Sequence, residues 1–156
     1  MNQNTSEKSS QGSLTGTSQG TAPKTLCVAD VMTNDVVSLS PRHNFADAVN
    51  LIANRHFHHF VVVEDERIVG VVSDRDILRG LARTDNWQRK EVGQFMTVEP
   101  TTVKPTTDLT TAISKMLAKR INCLPVVDDP DGKVCGILTS TDLLKSYHAV
   151  LESFEK

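Results

Sequence analysis

The chain states one pattern twice, and this constrains its fold more than any other feature. Gly70-Val71-Val72-Ser73-Asp74-Arg75-Asp76 recurs as Gly136-Ile137-Leu138-Thr139-Ser140-Thr141-Asp142, followed by the apolar pairs Ile77-Leu78 and Leu143-Leu144. Val31-Met32-Thr33 matches Phe95-Met96-Thr97, Pro41 matches Pro105, Ala48 matches Ala112 and Phe60–Val63 matches Leu124–Val127, all 64 residues apart. From the two glycines onward the offset is 66, so the second copy carries two extra residues, placed in its Asp128–Gly132 turn. An insertion confined to a turn is what a structural repeat tolerates.

A chain of 156 residues suits one domain, and a single copy is too small to enclose a robust core, so the two are expected to share one. The order within a copy follows from periodicity. Val36–Leu39 predicts a short strand closed by Pro41, and Asn44 a helix N-cap with Asp47 as a short capping box. Phe45, Ala48, Val49 and Ile52 line one helical face. Phe60–Val63 and Ile68–Val72 read as the two strands of a hairpin, and Asp74–Leu81 as the helix that follows. The second copy repeats the order from a strand near Thr101–Val103, with a helix over Asp108–Lys119, strands Leu124–Val127 and Val134–Leu138, and a helix from Ser140. The fold class is therefore α/β (α+β), two β-α-β-β-α units with helices covering a small sheet.

The expected division is a disordered tail over 1–23, a first repeat over 25–82, a linker over 83–90, a second repeat over 91–148 and a helical extension over 149–156. The tail is rich in Ser, Thr, Gln, Gly and Asn and cannot bury enough apolar surface to order itself. A short helix is expected over Trp87–Phe95, and Trp87, the only tryptophan, is expected to pack between the copies. Leu143, Leu144, Tyr147, Val150, Leu151 and Phe154 extend an apolar stripe beyond the repeat, destined for the module itself or for a dimer or partner surface.

A net charge of −2 gives no support to sequence-independent binding of nucleic acid or of an anionic membrane. No apolar run approaches a membrane span, the N-terminus lacks the pattern of a secretory signal, and three cysteines suggest neither a disulfide framework nor a zinc site. A cytoplasmic location is the expectation. His56, His58 and His59 cluster, but no Cys or carboxylate set completes a metal site, and none is expected. Cys123 and Cys135 read as inert thiols on neighbouring strands, with redox sensing the sharper alternative.

In each copy a strand runs into a helix with a hydroxyl at the junction and a carboxylate one turn in. Such a junction can cradle a phosphorylated sugar, because the helix start adds free N–H groups and the positive dipole end. Ser73, Asp74 and Thr139 have an equally good reading as helix caps, whereas Asp76 and Asp142 are less well explained that way. No nucleophile–base pair or phosphate-binding loop of the Walker type is present, so no enzyme and no catalytic cofactor is expected.

The ordered set of motifs resembles a tandem pair of CBS (cystathionine β-synthase) domains, a Bateman module. It consists of Met32-Thr33, Val36-Val37-Ser38, Pro41, Ala48, His58–Val63 and Gly70–Asp76, then Met96-Thr97, Thr101–Val103, Pro105, Ala112, Asn122–Asp128 and Gly136–Asp142. The resemblance covers roughly residues 25–150 and is to the small stand-alone members of bacteria and archaea. It implies a pseudo-two-fold module that binds adenosine-containing ligands (AMP, ADP, ATP, S-adenosylmethionine or NAD(H)) between the repeats and signals to a regulated protein. It also implies a flat homodimer.

By the same resemblance Asp76 and Asp142 would anchor a ribose, whose two donors suit a carboxylate. Ser73 and Thr139 would meet a phosphate, with Arg75 as an added cation in the first copy only. The base would lie at Val36, Val37, His58 and Phe60 in the first copy and at Thr101, Asn122 and Leu124 in the second, read mostly by backbone groups. Val61 departs from the family pattern, which favours the Pro seen at Pro125. The competing expectation is a structural dimerisation module with degenerate, ligand-free sites.

Overall fold

The computed structural model describes residues 25–55, 58–128 and 132–155. The expectations for the 1–23 tail, for His56 and for most of the second hairpin turn lie outside these residues.

Each copy is built on a hairpin. In the first, β2 (His59–Glu64) pairs antiparallel with β3 (Arg67–Ser73). Asp65 and Glu66 turn the chain with φ of 48° and 63°, the left-handed pair that matches strand twist in a two-residue loop. In the second, β5 (Cys123–Asp128) pairs with β6 (Lys133–Thr139). The register slips at Val62/Val63 in one hairpin and at Val126/Val127 in the other, the same place by the 64-residue offset. An irregularity reproduced in both copies belongs to the repeated design.

Helices α1 (Phe45–Arg55) and α2 (Asp74–Arg83) accompany the first hairpin, and α3 (Leu109–Lys119) and α4 (Ser140–Phe154) the second. Asn44 starts α1 by accepting the Ala46 N–H at 2.8 Å. β1 (Ser38–Leu39) adds to β2 in parallel, and β4 (Thr97–Val98) adds to β3. The hairpins meet at their turn ends, where Arg67 bridges Lys133.

Both faces of each hairpin are buried, which explains why these strands read as continuous apolar runs rather than as alternation. Phe60, Val62 and Val72 pack with Phe45, Ala48 and Ile77 in the first copy. Leu124, Val126 and Leu138 pack with Ala112 and Met116 in the second. The opposite faces meet: Val61 and Val71 join Cys123 and Ile137, flanked by Val36, Ile68 and Val134. This third cluster is the core the copies share.

The short segment leading into each copy docks on the other one. Thr33 exchanges both backbone hydrogen bonds with Ile137 at 2.9 Å, and Val28, inside a 3-10 turn (Val28–Asp30), is buried among the second copy's side chains. Reciprocally, Thr97 pairs with Val71 of the first copy.

Three local expectations change. Trp87 lies edge-on to Phe45, ring centres 6.3 Å apart, and joins the first copy's cluster rather than the seam between copies. The short helix expected over Trp87–Phe95 divides into two 3-10 turns, Trp87–Arg89 and Val92–Gln94. The strand expected at Thr101–Val103 reduces to Val103, which bonds Pro125 and Val127 from between Pro100 and Pro105. Proline on either side leaves little room for a longer ladder.

Candidate functional site

The repeated motif folds as the strand-to-helix junction that its residues require. Ser73 caps α2, accepting the Asp76 N–H at 3.3 Å, while Asp76 reaches back with Oδ2 to the Ser73 N–H at 2.9 Å and accepts the Ser73 hydroxyl at 2.7 Å. Thr139 and Asp142 repeat this at α4 with 3.3, 2.8 and 2.6 Å. These are capping boxes. The cap reading of Ser73 and Thr139 holds, and it extends to Asp76 and Asp142, contrary to the sequence expectation.

A capping role leaves chemistry over. An ionised carboxylate offers about four acceptor positions, and the box uses two of them, both on Oδ2. The other oxygen differs between copies. Asp76 Oδ1 takes Arg79 Nη1 at 3.3 Å from the same helix. Asp142 Oδ1 takes the Thr33 hydroxyl at 3.0 Å from 109 residues away in sequence. Asp142 is the one buried charged residue among those described.

The residue just before the first strand of each hairpin is tied to the helix start. The His58 carbonyl accepts the Asp74 N–H and the Asn122 carbonyl accepts the Ser140 N–H, both at 3.0 Å. In the first copy His58 Nδ1 also meets Asp74 Oδ2 at 3.1 Å, an exposed pair. His58 and Asn122 thus flank the two junctions at equivalent positions. Val37 accepts the Val61 N–H at 3.3 Å, and Val36 packs into the seam between copies. Phe60 and Leu124 are fully buried, so only their backbones can meet a ligand.

Arg75 is exposed on α2. Thr101 Oγ1 accepts Lys119 Nζ at 2.9 Å, which supplies the second copy with a cation that the motif itself lacks. Lys119, Arg79 and Thr33 escaped the sequence reading as site residues, and Asp74 entered it only as a helix cap. Thr33 was visible only as part of the Met32-Thr33 motif, with nothing to say that it bonds the other copy.

His59 and Cys123 occupy matching positions. Burial pushes His59 below its usual 6.5 more than the Asp74 charge raises it, with the His58 charge again lowering and Asp76 raising it. Burial, assisted by the Asp76 charge, pushes the Cys123 thiol up to about 12. That carboxylate therefore acts across the seam between copies. Among the described residues no group of three or more potential ligands could hold a metal ion.

Two open grooves run along α4. One, about 520 Å³, lies between α4 and the 3-10 turn and has Asp142, Lys145 and Asp30 in its walls. The other, about 510 Å³, is lined by Leu144, Tyr147, Leu151 and neighbouring polar residues. Neither includes the first junction.

A doubled hairpin with a capped carboxylate at each strand-to-helix junction defines a tandem-repeat module. The CBS domain family model matches residues 28–83 and 92–149, and the chain belongs to that family. It is 30% identical over 117 residues to inosine-5'-monophosphate dehydrogenase of Methanocaldococcus jannaschii. It is also 30% identical over 118 residues to homoserine O-acetyltransferase of Methanohalobium evestigatum. Each match covers 74% of this chain but only 22% and 23% of the respective enzyme, so the likeness lies in a minor part of each. Among solved structures, CBSX2 of Arabidopsis thaliana, crystallised with AMP, superposes with a TM-score of 0.70 at 31% identity, covering 80% of this chain and 97% of that one.

Proposed function

We propose that this chain is a non-enzymatic regulatory module that binds an adenosine-containing ligand between its two CBS copies and passes the binding on to a partner protein. AMP, ADP and ATP are the foremost candidates, with S-adenosylmethionine and NAD(H) behind them. The observation that carries the reading is the doubled capping box. It places at each junction a carboxylate whose Oδ1 lies outside the cap, the kind of acceptor a ribose diol needs, beside the positive end of a helix dipole. The AMP complex of CBSX2 supports the choice of ligand class.

A ligand that binds only the folded state stabilises it by about 2.7 kcal/mol at a hundred times its dissociation constant. For a domain of this size that is a rise in Tm of roughly 5–10 °C. A thermal-shift panel of AMP, ADP, ATP, S-adenosylmethionine and NADH should show such a rise with at least one ligand. No shift with any of them would contradict the reading.

One observation favours a dimerisation role alongside it. Leu144 on α4, the repeat equivalent of the exposed Leu78 on α2, is 67% exposed and lines one groove with Tyr147 and Leu151, and Phe154 beyond them on the same helix is exposed as well. A second copy of the chain is the occupant we propose for that face, forming a homodimer. Sedimentation showing a monomer at micromolar concentration would contradict it.

A further inference from the structure

The two junctions match in their caps and differ in what holds the remaining oxygen. Asp142 Oδ2 is filled by the Thr139 N–H and hydroxyl, and Oδ1 carries the Thr33 hydroxyl. With three of about four acceptor positions used, one is left, and a diol needs two. Asp142 is also buried, so a ligand cannot simply add to what is there.

Thr33 is not a loose side chain. Its backbone exchanges two hydrogen bonds with Ile137, Met32 Sδ lies close against Gly136, and upstream the Val28 and Ala29 N–H groups bond the Thr107 and Pro105 carbonyls at 2.9 Å. Thr33 is thus the end of a strap from residue 27 onward, laid across the second copy.

In the first copy Thr97 holds the matching backbone position against Val71, yet the oxygen of Asp76 is held by Arg79. That guanidinium is half exposed and belongs to the same helix. A long exposed side chain gives up such a pair at little cost and can turn its charge toward a phosphate.

We infer that Thr33 is the specificity-determining residue of the second site. It competes internally for the Asp142 oxygen, so a ribose enters there only by lifting the 27–33 strap, whereas the first site fills without moving the corresponding 92–98 segment. Binding at the second site is thereby coupled to the N-terminal strap, and binding at the first is not. The inference rests on the ribose reading of the two carboxylates.

Calorimetric titration with AMP separates the possibilities. The wild type should show a tight and a weak class of site, or the tight class alone. Thr33→Val, which removes the hydroxyl and keeps the shape, should strengthen the weak class about fivefold or bring it into view, as expected from one net hydrogen bond. Thr33→Ser should behave as the wild type and Thr97→Val should change neither class. In hydrogen exchange, saturating AMP should speed the Thr33 and Ile137 amides and leave those of Val71 and Thr97 unchanged.

AMP binding unaltered by Thr33→Val, or slower exchange at Thr33 with AMP bound, overturns the inference while leaving the ribose reading in place. No heat in any variant overturns both.

Discussion

Gly136 lies so close to Met32 that a Cβ built on the glycine would sit 2.7 Å from the methionine Sδ and 3.1 Å from the Thr33 carbonyl oxygen. The first copy repeats the relationship with Gly70 and Met96. Each glycine opening the repeated motif thus admits the strap from the other side, and needs no special backbone angle to do so. Gly136→Ala is expected to cost about 1–3 kcal/mol, because the methionine can shift but the Thr33 backbone is held by Ile137. Urea denaturation measures this, and an unchanged midpoint would contradict the account of the straps.

Much of the fold was legible in the sequence, for physical reasons. Phe60–Val63 and Leu124–Val127 announce strands buried on both faces, and Phe45, Ala48, Val49 and Ile52 announce α1 by their spacing. The crossing of the straps was not legible. Thr33 and Ile137 pair across more than a hundred residues through segments too short to show a period, so nothing local marks the partner. Trp87 was misplaced for a similar reason, since aromatic area predicts burial but not the cluster that receives it.

The site was legible as two hydroxyl–carboxylate motifs. What the sequence could not separate was a cap from a ligand anchor, because Asp76 performs the first through Oδ2 while the position of Oδ1 decides the second.

His59 gives a pH dependence of definite sign. Burial holds its folded-state pKa below the usual 6.5, so the unfolded chain takes up the proton first as pH falls. Its contribution is fully present above about pH 6.5 and is lost as pH drops toward the lowered folded value. Chemical denaturation between pH 7.5 and 5.5 should show a shallower loss of stability in His59→Gln than in the wild type. Parallel curves would contradict a folded-state imidazole pKa held below its usual value.

Cys123 should be chemically silent. With its pKa at about 12, the reactive thiolate is on the order of one part in ten thousand at pH 8. Cys27, half-buried in the strap, should take up iodoacetamide in the native protein, with Cys123 modified only after denaturation. Peptide mass mapping reads the order. Modification of Cys123 as fast as Cys27 would show that the seam between copies opens far more readily than its packing implies.

The central claim is that the capped carboxylates anchor an adenosine ligand, and calorimetric titration of Asp76→Ala and of the Asp76→Ala/Asp142→Ala double variant with AMP tests it most directly. Charge-assisted hydrogen bonds contribute about 1.5–3 kcal/mol each, so loss of Asp76 should weaken the tighter site at least tenfold. The double variant, verified as folded by circular dichroism, should bind with no measurable heat. Saturable AMP binding of undiminished affinity in that folded double variant would contradict the account.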